Sequence, residues 1–356
     1  MAARVTIQDI ADSLGLSRNT VSKAINNTGV LADSTREKIL KRAMEMGYKQ
    51  FSYSAISTAA RQERSVLPAG GKRDIALFTT MFLSNSHFAS TMLDKFQMEV
   101  AQMGYTLTMH RILADEVAAL QLPKSFVRDR SCGIICFEMF DYAYSRMLCE
   151  LDIPVLFVDT PVIGLNEPLK ADCLYMDNQT GIYSFIQEMN RRGKKRIGFV
   201  GECLHCQSFF ERYITVRNAT HLLGLPLPEE YCLTGNKEGV ENPSYNDYRE
   251  YLTDSIRQLQ QLPDVFICAN DFIALDTLHA LQKLGYSVPQ DIYLCGFDDS
   301  PESRIMTPSL TTIHIHSQIM GYSAAHLLIS RIKEPSLNYR SIYAESTLIY
   351  RASTED

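Results

Sequence analysis

The stretch SLGLSRNTVSKAINN, residues 13–27, decides the fold of the first part of the chain. Gly15 interrupts one helical pattern, and Ser17 is a favourable N-cap for a second helix. Helical spacing assigns the inward positions of this second helix to Val21, Ala24 and Ile25. Two helices joined by a short Gly-containing turn are typical of a helix-turn-helix.

The residues around this stretch supply two further helix signals. Thr6 can cap a first helix that runs to about Ser13, and Asp9 favours its positive end. Ser34-Thr35-Arg36-Glu37 predicts the start of a third helix, which Gly47 ends. Three such helices can bury one small core, with a third-helix stripe of Ile39, Leu40, Ala43 and Met46.

The outward side chains of the second helix match the chemistry of DNA bases. Arg18 can pair with guanine and Asn19 with adenine, and Lys23 can reach guanine or phosphate. All three lie in the first two turns, where a recognition helix meets base edges. Hydroxyl groups that can contact the DNA backbone complete the predicted interface at Thr6, Ser17, Thr20 and Ser22.

The charge of the chain is distributed unevenly. Residues 1–73 carry 12 Lys and Arg against 6 Asp and Glu, whereas the whole chain of 356 residues has a formal net charge of −6. A basic segment attached to an acidic body is typical of a polyanion-binding module joined to a domain with another role.

The segment VTIQDIADSLGLSRNTVSKAINNTGVLADSTREKILKRAMEMGY resembles the headpiece of the LacI/GalR (lactose-repressor) family of bacterial transcription regulators. The resemblance covers the first helix, the turn, TVSKAIN and the third helix. It implies that Arg18, Asn19 and Lys23 occupy base-reading positions, in an all-α DNA-binding headpiece over residues 1–50.

Residues 51–73 depart from the family pattern. The family's hinge helix usually begins with Pro and carries a Leu that enters the minor groove, but Gln50 and Ser57 stand near those places. Ile56, or Tyr53, is then the candidate apolar wedge. The alternative is a plain linker, since this stretch is longer than usual and ends in Pro68-Ala69-Gly70-Gly71.

Residues 74–356 alternate apolar runs with helical patterns. The runs at 74–80, 133–137, 153–159, 196–202, 264–271 and 292–299 are nearly continuous, as buried parallel strands are. Helices are expected between them, for example over 179–192, 208–223 and 272–284. The pattern predicts an α/β body with parallel sheets, and its length favours two doubly wound lobes.

The stretch VPQDIYLCGFDDSPESRIMTPSLTTIHIHSQIMG resembles the effector domain of the same family, which is similar to periplasmic sugar-binding proteins. The resemblance implies two lobes joined by three crossovers, with a ligand between them. By the family pattern, Ser208, Arg212, Asn270 and Asp298 contact the effector, and His87, Phe88 and Asp177 match less distinctly. Such Asp, Arg and Asn side chains suit a polyhydroxylated sugar.

Lys237 stands near the place where the family often presents an aromatic residue. A cation there favours an anionic effector, such as a sugar phosphate or a sugar acid. An alignment shifted by a few residues is the alternative interpretation.

These features predict a DNA-binding regulator, most simply a repressor, that binds a near-palindromic operator as a homodimer under control of a sugar or sugar derivative. The alternatives are a constitutive regulator and one that responds to a nucleobase or nucleoside. No phosphate-binding glycine loop or nucleophile elbow favours an enzyme. We expect no cofactor, no metal and no membrane segment. The nine scattered Cys fit reduced thiols in the cytoplasm, with the lone pair Cys203 and Cys206 as structural residues.

Overall fold

The chain forms two compact units, Met1–Gly71 and Lys72–Asp356, in the computed structural model. Among the described residues, no helix has both the length and the apolar character needed to cross a bilayer. The structure describes residues 6–25, 35, 38–39, 41–43, 46, 72–80, 87–236 and 245–355.

Helix α1 (Ile7–Leu14) has defined caps at both ends. The Thr6 hydroxyl accepts a hydrogen bond from the Asp9 backbone N–H, and the Asp9 carboxylate accepts one from the Thr6 N–H at 2.7 Å. Gly15 ends the helix with φ of +65°, a left-handed conformation that glycine adopts without steric cost. The capping residues expected from the sequence are confirmed.

Helix α2 (Arg18–Ile25) follows after a turn of three residues. The Ser17 hydroxyl accepts a hydrogen bond from the Thr20 N–H at 3.1 Å, which is the expected N-cap. The inward positions are buried and join α1 and the helical residues 39 and 43 in one core. Its members are Ile10, Ala11, Val21, Ala24, Ile25, Ile39 and Ala43, with Ile7, Leu14, Leu16 and Met46 at its margin.

The second unit contains a first lobe built on a six-stranded parallel sheet in the order β11-β5-β4-β3-β1-β2. Within the described ranges, four helices belong to this lobe: α3 (His87–Gln102), α4 (Ala114–Ala118), α5 (Tyr142–Cys149) and α11 (Ser317–Lys333). The strands are β1 (Asp74–Thr79), β2 (Thr106–Arg111), β3 (Ser131–Phe137), β4 (Val155–Val158), β5 (Asp172–Met176) and β11 (Ser341–Ala344).

A second lobe is built on a four-stranded parallel sheet in the order β7-β6-β8-β9, with β10 and β12 paired antiparallel beside it. Its strands are β6 (Ile197–Val200), β7 (Cys232–Leu233), β8 (Val265–Cys268), β9 (Tyr293–Cys295), β10 (Thr312–Ile315) and β12 (Ser346–Ile349). Its helices are α6 (Thr180–Arg191), α7 (Gln207–Leu222), α8 (Tyr245–Gln258), α9 (Asp271–Lys283) and α10 (Pro301–Ile305).

The chain passes between the lobes three times. It leaves the first sheet after β5, returns between β10 and α11, and leaves again between β11 and β12. A side chain at a crossover can therefore contact both lobes. The two-lobed α/β body with parallel sheets, expected from the sequence, is confirmed.

The apolar runs identified in the sequence form the central strands, and the strand expected to end near Leu233 is β7, which has only two residues. The strands β5, β10, β11 and β12 were not predicted. β11 forms one edge of its sheet, and three of its four residues are exposed, so it lacks the continuous apolar pattern of a buried strand.

Candidate functional site

The outer face of α2 presents three exposed polar side chains. Arg18, Asn19 and Lys23 are exposed, and within the described part of the chain their side chains have no hydrogen-bond or ion-pair partner. Behind them, Val21 and Ala24 are buried in the small core. The helix is therefore held by its inner face, while its outer donors and acceptors stay available to another molecule.

The smaller hydroxyl residues of the headpiece already have local partners. The Ser17 and Thr20 hydroxyls lie 2.8 Å apart, and Thr6 serves as the cap of α1. Ser22 is half-buried in α2. Ile56, the candidate wedge, lies outside the described residues.

Arg212 is the cation at the centre of the second unit, and its side chain is only 3% exposed. Its Nε donates to the Asn178 side-chain oxygen at 2.9 Å, and its Nη1 donates to the Ala269 carbonyl at 2.6 Å. The guanidinium stacks on the Phe297 ring at 3.5 Å, and Nη1 lies 3.8 Å from an Asp298 carboxylate oxygen. The predicted effector residues Arg212 and Asp298 thus lie within ion-pairing distance of each other.

Asp298 follows β9 in a left-handed conformation, with φ of +115°. Burial raises the pKa of its carboxyl to about 8, with Arg212 opposing the shift and the charges of Asp271 and Glu138 adding to it. A carboxyl group of this kind readily changes its protonation state when a ligand arrives, because its two forms are close in free energy near neutral pH.

Asp299 anchors the loop that carries Asp298. Its carboxylate accepts hydrogen bonds from Arg304 at 2.6 Å and from Arg351 at 2.5 Å, and the His314 Nδ1 lies 3.0 Å away. Burial opposes ionisation of Asp299, but the hydrogen bonds from Arg304 and Arg351 outweigh it and lower the pKa of this carboxyl. The loop is thereby fixed to β10 and to the C-terminal segment.

Asp271 provides a second anchor for the same loop. Its carboxylate accepts from the Ser300 backbone N–H at 2.7 Å and from the Thr312 hydroxyl at 2.6 Å. Its side chain is buried, and burial raises its pKa to about 6. Asp298 therefore lies in a loop that is anchored at Asp299 by Arg304 and Arg351, and at Ser300 by Asp271.

The first turn of α7 joins the two lobes. The Gln207 backbone N–H donates to the Thr160 carbonyl at 2.8 Å, and the Ser208 N–H donates to the Asp159 carboxylate at 3.2 Å. Ser208 is buried, and its hydroxyl donates to the Met176 sulfur and accepts from the Asn178 amide. The Ser208 hydroxyl is therefore already engaged both as a donor and as an acceptor.

Asn270 and Asp177 serve as local caps. The Asn270 side-chain oxygen accepts from the Ile273 N–H at 2.9 Å and so begins α9, while its amide N–H groups have no partner within the described residues. One Asp177 oxygen accepts from the Gln179 and Thr180 N–H groups at 2.9 and 3.0 Å. Asn270 keeps donors available, whereas Asp177 has a local structural role.

Aromatic side chains of the first lobe pack on each other and on aromatic side chains of the second lobe. Phe88 packs on Phe137 with ring centroids 5.8 Å apart. Phe140 lies 5.0 Å from the His205 ring of the second lobe, and His205 lies 5.3 Å from Phe209. His87 is the first residue of α3, but its side chain lies outside the described part, as does all of Lys237.

Sequence reasoning missed Asn178, Glu138 and Phe140. Asn178 is fully buried and links Arg212, Ser208 and Glu211. It lies two residues beyond the end of β5, next to the predicted residue Asp177. Glu138 and Phe140 come directly after the predicted strand 133–137, so their position at its carboxyl end was the available signal.

All nine cysteines are free thiols. Within the residues that the structure describes, no group of His, Cys, Asp and Glu converges as metal ligands do. Burial raises the pKa of both Cys203 and Cys206, which disfavours the reactive thiolate form.

Two protein-family models match the chain. Residues 6–50 match the model of bacterial regulatory proteins of the lacI family, and residues 186–354 match the periplasmic binding protein-like domain. The first match covers the helix-turn-helix, and the second covers the lobe that carries Arg212 and Asp298.

Known proteins with similar sequences and structures are transcription regulators. The chain is 28% identical to the HTH-type transcriptional repressor PurR of Vibrio parahaemolyticus over 355 residues, 97% of each chain. It is 26% identical to the transcriptional regulator GalR of Lacticaseibacillus casei, over 98% of this chain and 99% of that one. Its fold is similar to the transcriptional regulator CelR–cellobiose complex, with a TM-score of 0.67, 21% identity and coverage of 98% and 100%. The lac repressor dimer bound to operator and the anti-inducer ONPF gives a TM-score of 0.64, 18% identity and coverage of 99% and 100%.

Proposed function

We propose that the chain is a member of the LacI family of bacterial transcription regulators, and that it represses transcription as a homodimer on a near-palindromic operator, under control of a small molecule bound between its two lobes. The observation that carries the proposal is the exposed set Arg18, Asn19 and Lys23 on α2, behind which a small core fixes the helix. Acting on chromosomal DNA, the protein would work in the cytoplasm.

DNA reading is assigned to α2. Replacing Arg18 with alanine is expected to cost roughly 1–3 kcal/mol at one base pair of each half-site, because a bidentate arginine–guanine contact is lost. The measurement is a binding assay with operator variants mutated one base pair at a time, on one and on two half-sites. Equal weakening of all sequences by Arg18→Ala would contradict the base-reading role.

Lys23→Ala provides a comparison on the same face of α2. If Lys23 contacts phosphate, its loss should weaken all sequences about equally and reduce the slope of log affinity against log salt by about 1. Arg18→Ala should instead change the sequence preference.

The effector site is proposed between the lobes, with Asp298 and the Asn270 amide as polar contacts and Arg212 holding Asp298. Ser208, Asp177, Phe88 and His87 remain secondary candidates. A carboxylate and an amide donor suit adjacent hydroxyl groups of a sugar. The fold likeness to a regulator solved with cellobiose is consistent with a sugar or sugar derivative.

A nucleobase or nucleoside is the second candidate. Relatives named PurR, at 26–28% identity over nearly the whole chain, favour it. The aromatic rings of Phe140, His205 and Phe209 could stack on a flat base.

A thermal-shift screen of sugars, sugar phosphates, nucleobases and nucleosides distinguishes these candidates. A compound present at 100 times its Kd should add about 2.7 kcal/mol of stability, and the effector should also change operator affinity. Asp298→Asn should abolish the shift caused by the effector, while Asp291→Asn, in the loop before β9, should retain it. A screen without any binding compound would favour a constitutive regulator.

We assign the homodimer contact to the outer face of the first lobe. A groove between α3 and β2 is lined by Leu77, Ser90, Leu93, Asp94, Gln97, Leu107 and Met109. Met109 in this groove is 61% exposed, and β2 forms an edge of its sheet. An unpaired sheet edge beside exposed apolar side chains is suited to a contact with a second copy of the chain.

A further inference from the structure

We propose that Glu138 selects the effector: its carboxylate, opposite Asp298, accepts hydrogen bonds from a positively charged or N–H-rich group of the ligand. The inference rests on the proposed effector site and specifies the chemical class of its ligand. A protonated amine or an amidine-like group fits this site, whereas an anionic ligand such as a sugar phosphate does not.

Glu138 stands where the first lobe meets the second. It directly follows β3, and the Thr80 hydroxyl donates to its backbone carbonyl at 2.8 Å, which ties it to the end of β1. Two residues later, Phe140 contacts His205 of the second lobe with ring centroids 5.0 Å apart. The segment 138–140 therefore lies where the two lobes meet, and the charge of Glu138 contributes to the raised pKa of Asp298.

The Glu138 carboxylate lacks an internal partner within the described residues. No hydrogen bond or ion pair to it is found there, although its residue is half-buried. Burial raises the pKa of this carboxyl. Removing a carboxylate from water without a partner is unfavourable, so a ligand that supplies donors gains free energy by satisfying it.

The charges around Glu138 leave an excess of carboxylates. The groups that face the Glu138–Asp298 pair are Arg212 on α7 and Asp271 at the start of α9, and Asp159 lies beside Arg212. Arg212 donates through Nε to Asn178 and through Nη1 to the Ala269 carbonyl, and Nη1 lies 3.8 Å from Asp298. Burial lowers the pKa of His205 and so favours its neutral form. Among the described residues, no cation forms an ion pair with the Glu138 carboxylate, so this carboxylate favours a cationic ligand.

This inference departs from the anionic effector suggested by Lys237 in the sequence. An anion between the lobes would meet Glu138 and Asp298, whereas a cation would be attracted by both. Asp298 also makes the site adaptable, because a donor-rich ligand stabilises its ionised form and the empty site its protonated form.

The first test uses the full chain without ligand and compares Glu138→Gln with the wild type. Asp298 has a raised pKa, so its contribution to stability is present at low pH and is lost as pH rises from about 4 towards about 8. Glu138→Gln removes a carboxyl whose own pKa is raised and also lowers the pKa of Asp298, so for both reasons the midpoint of thermal unfolding should fall less steeply over this range. A pH profile identical to that of the wild type would overturn the proposal.

The second test measures ligand choice by thermal shift with three matched probes: D-glucosamine, D-glucose and D-glucose 6-phosphate. The wild type should prefer the amino sugar and disfavour the phosphate, and Glu138→Gln should weaken the amino sugar on the order of tenfold or more. Glu230→Gln, an exposed residue before β7, is the matched control and should leave the ranking unchanged. A wild type that prefers the phosphate, or a ranking unaffected by Glu138→Gln, would overturn the proposal.

The two proposals fail in different ways. If an effector changes operator affinity and needs Asp298 but is indifferent to Glu138→Gln, only the role of Glu138 is lost. If Asp298→Asn leaves the response to every active compound intact, the effector site itself is wrong.

Discussion

Replacing Arg212 with methionine is expected to lower the free energy of unfolding by about 3–5 kcal/mol, because the Asn178 side-chain oxygen and the Ala269 carbonyl each lose a charged donor, at about 1–3 kcal/mol per unsatisfied buried group. Arg212 is 3% exposed and holds Asn178, the Ala269 carbonyl and Asp298. Methionine keeps much of the volume and the contact with Phe297 but provides no donor. The chain has no tryptophan, so far-UV circular dichroism in a urea titration is the suitable measurement.

Arg217→Met is the matched control, because it lies on the same helix. Arg217 pairs with Glu229 at 2.7 Å, but the two side chains are 39% and 73% exposed, so its loss should cost less than about 1 kcal/mol. An equal loss of stability in the two variants would contradict a central role of Arg212. By the proposed function, Arg212→Met should also lose the response to effector while the separate headpiece still binds operator.

The second large effect is expected from Asp299→Asn, which should cost roughly 2–3 kcal/mol, since hydrogen bonds to charged groups contribute about 1.5–3 kcal/mol each. The neutral amide cannot satisfy Arg304, Arg351 and His314 together. Asp298 is its chain neighbour, so this loss should also weaken effector binding. Asp254→Asn, at an exposed ion pair with Arg257, should change neither property.

The same variant has a defined pH signature. Asp299 has a lowered pKa, so its contribution to stability is present above the ordinary aspartate value near 4 and is lost as pH falls through its lower folded-state value. The destabilisation caused by Asp299→Asn should therefore be full at neutral pH and shrink in acid. Thermal unfolding between about pH 2 and pH 7 measures this difference, and a constant difference over that range would contradict the role of the ionised carboxylate.

The headpiece was largely predictable because its determinants are local. The capping pairs Thr6–Asp9 and Ser17–Thr20 act over three residues, and Gly15 ends α1 through its own backbone conformation. The central strands were predictable for a similar reason, since a strand buried on both faces is a continuous apolar run. The shorter or exposed strands carry no such pattern.

The candidate effector site was predictable only in part. The family pattern indicated Arg212, Asn270 and Asp298, but their partners are distant in sequence. Arg212 contacts Asn178, and Asp299 contacts Arg351 through the C-terminal segment. No local rule selects one buried partner among many polar residues, because such pairs depend on how the two lobes cross.

The sequence by itself determined helix α2, its exposed Arg18, Asn19 and Lys23, and the two-lobed α/β class, because caps and hydrophobic periodicity act between neighbours along the chain. Only the tertiary structure decided that Arg212 donates to Asn178 and the Ala269 carbonyl, that Ser208 joins the lobes, and that the Glu138 carboxylate has no hydrogen-bond or ion-pair partner among the described residues. The physical reason is that burial and long-range pairing fix the energy of a charge, and both arise only when the three crossovers bring distant strand ends together.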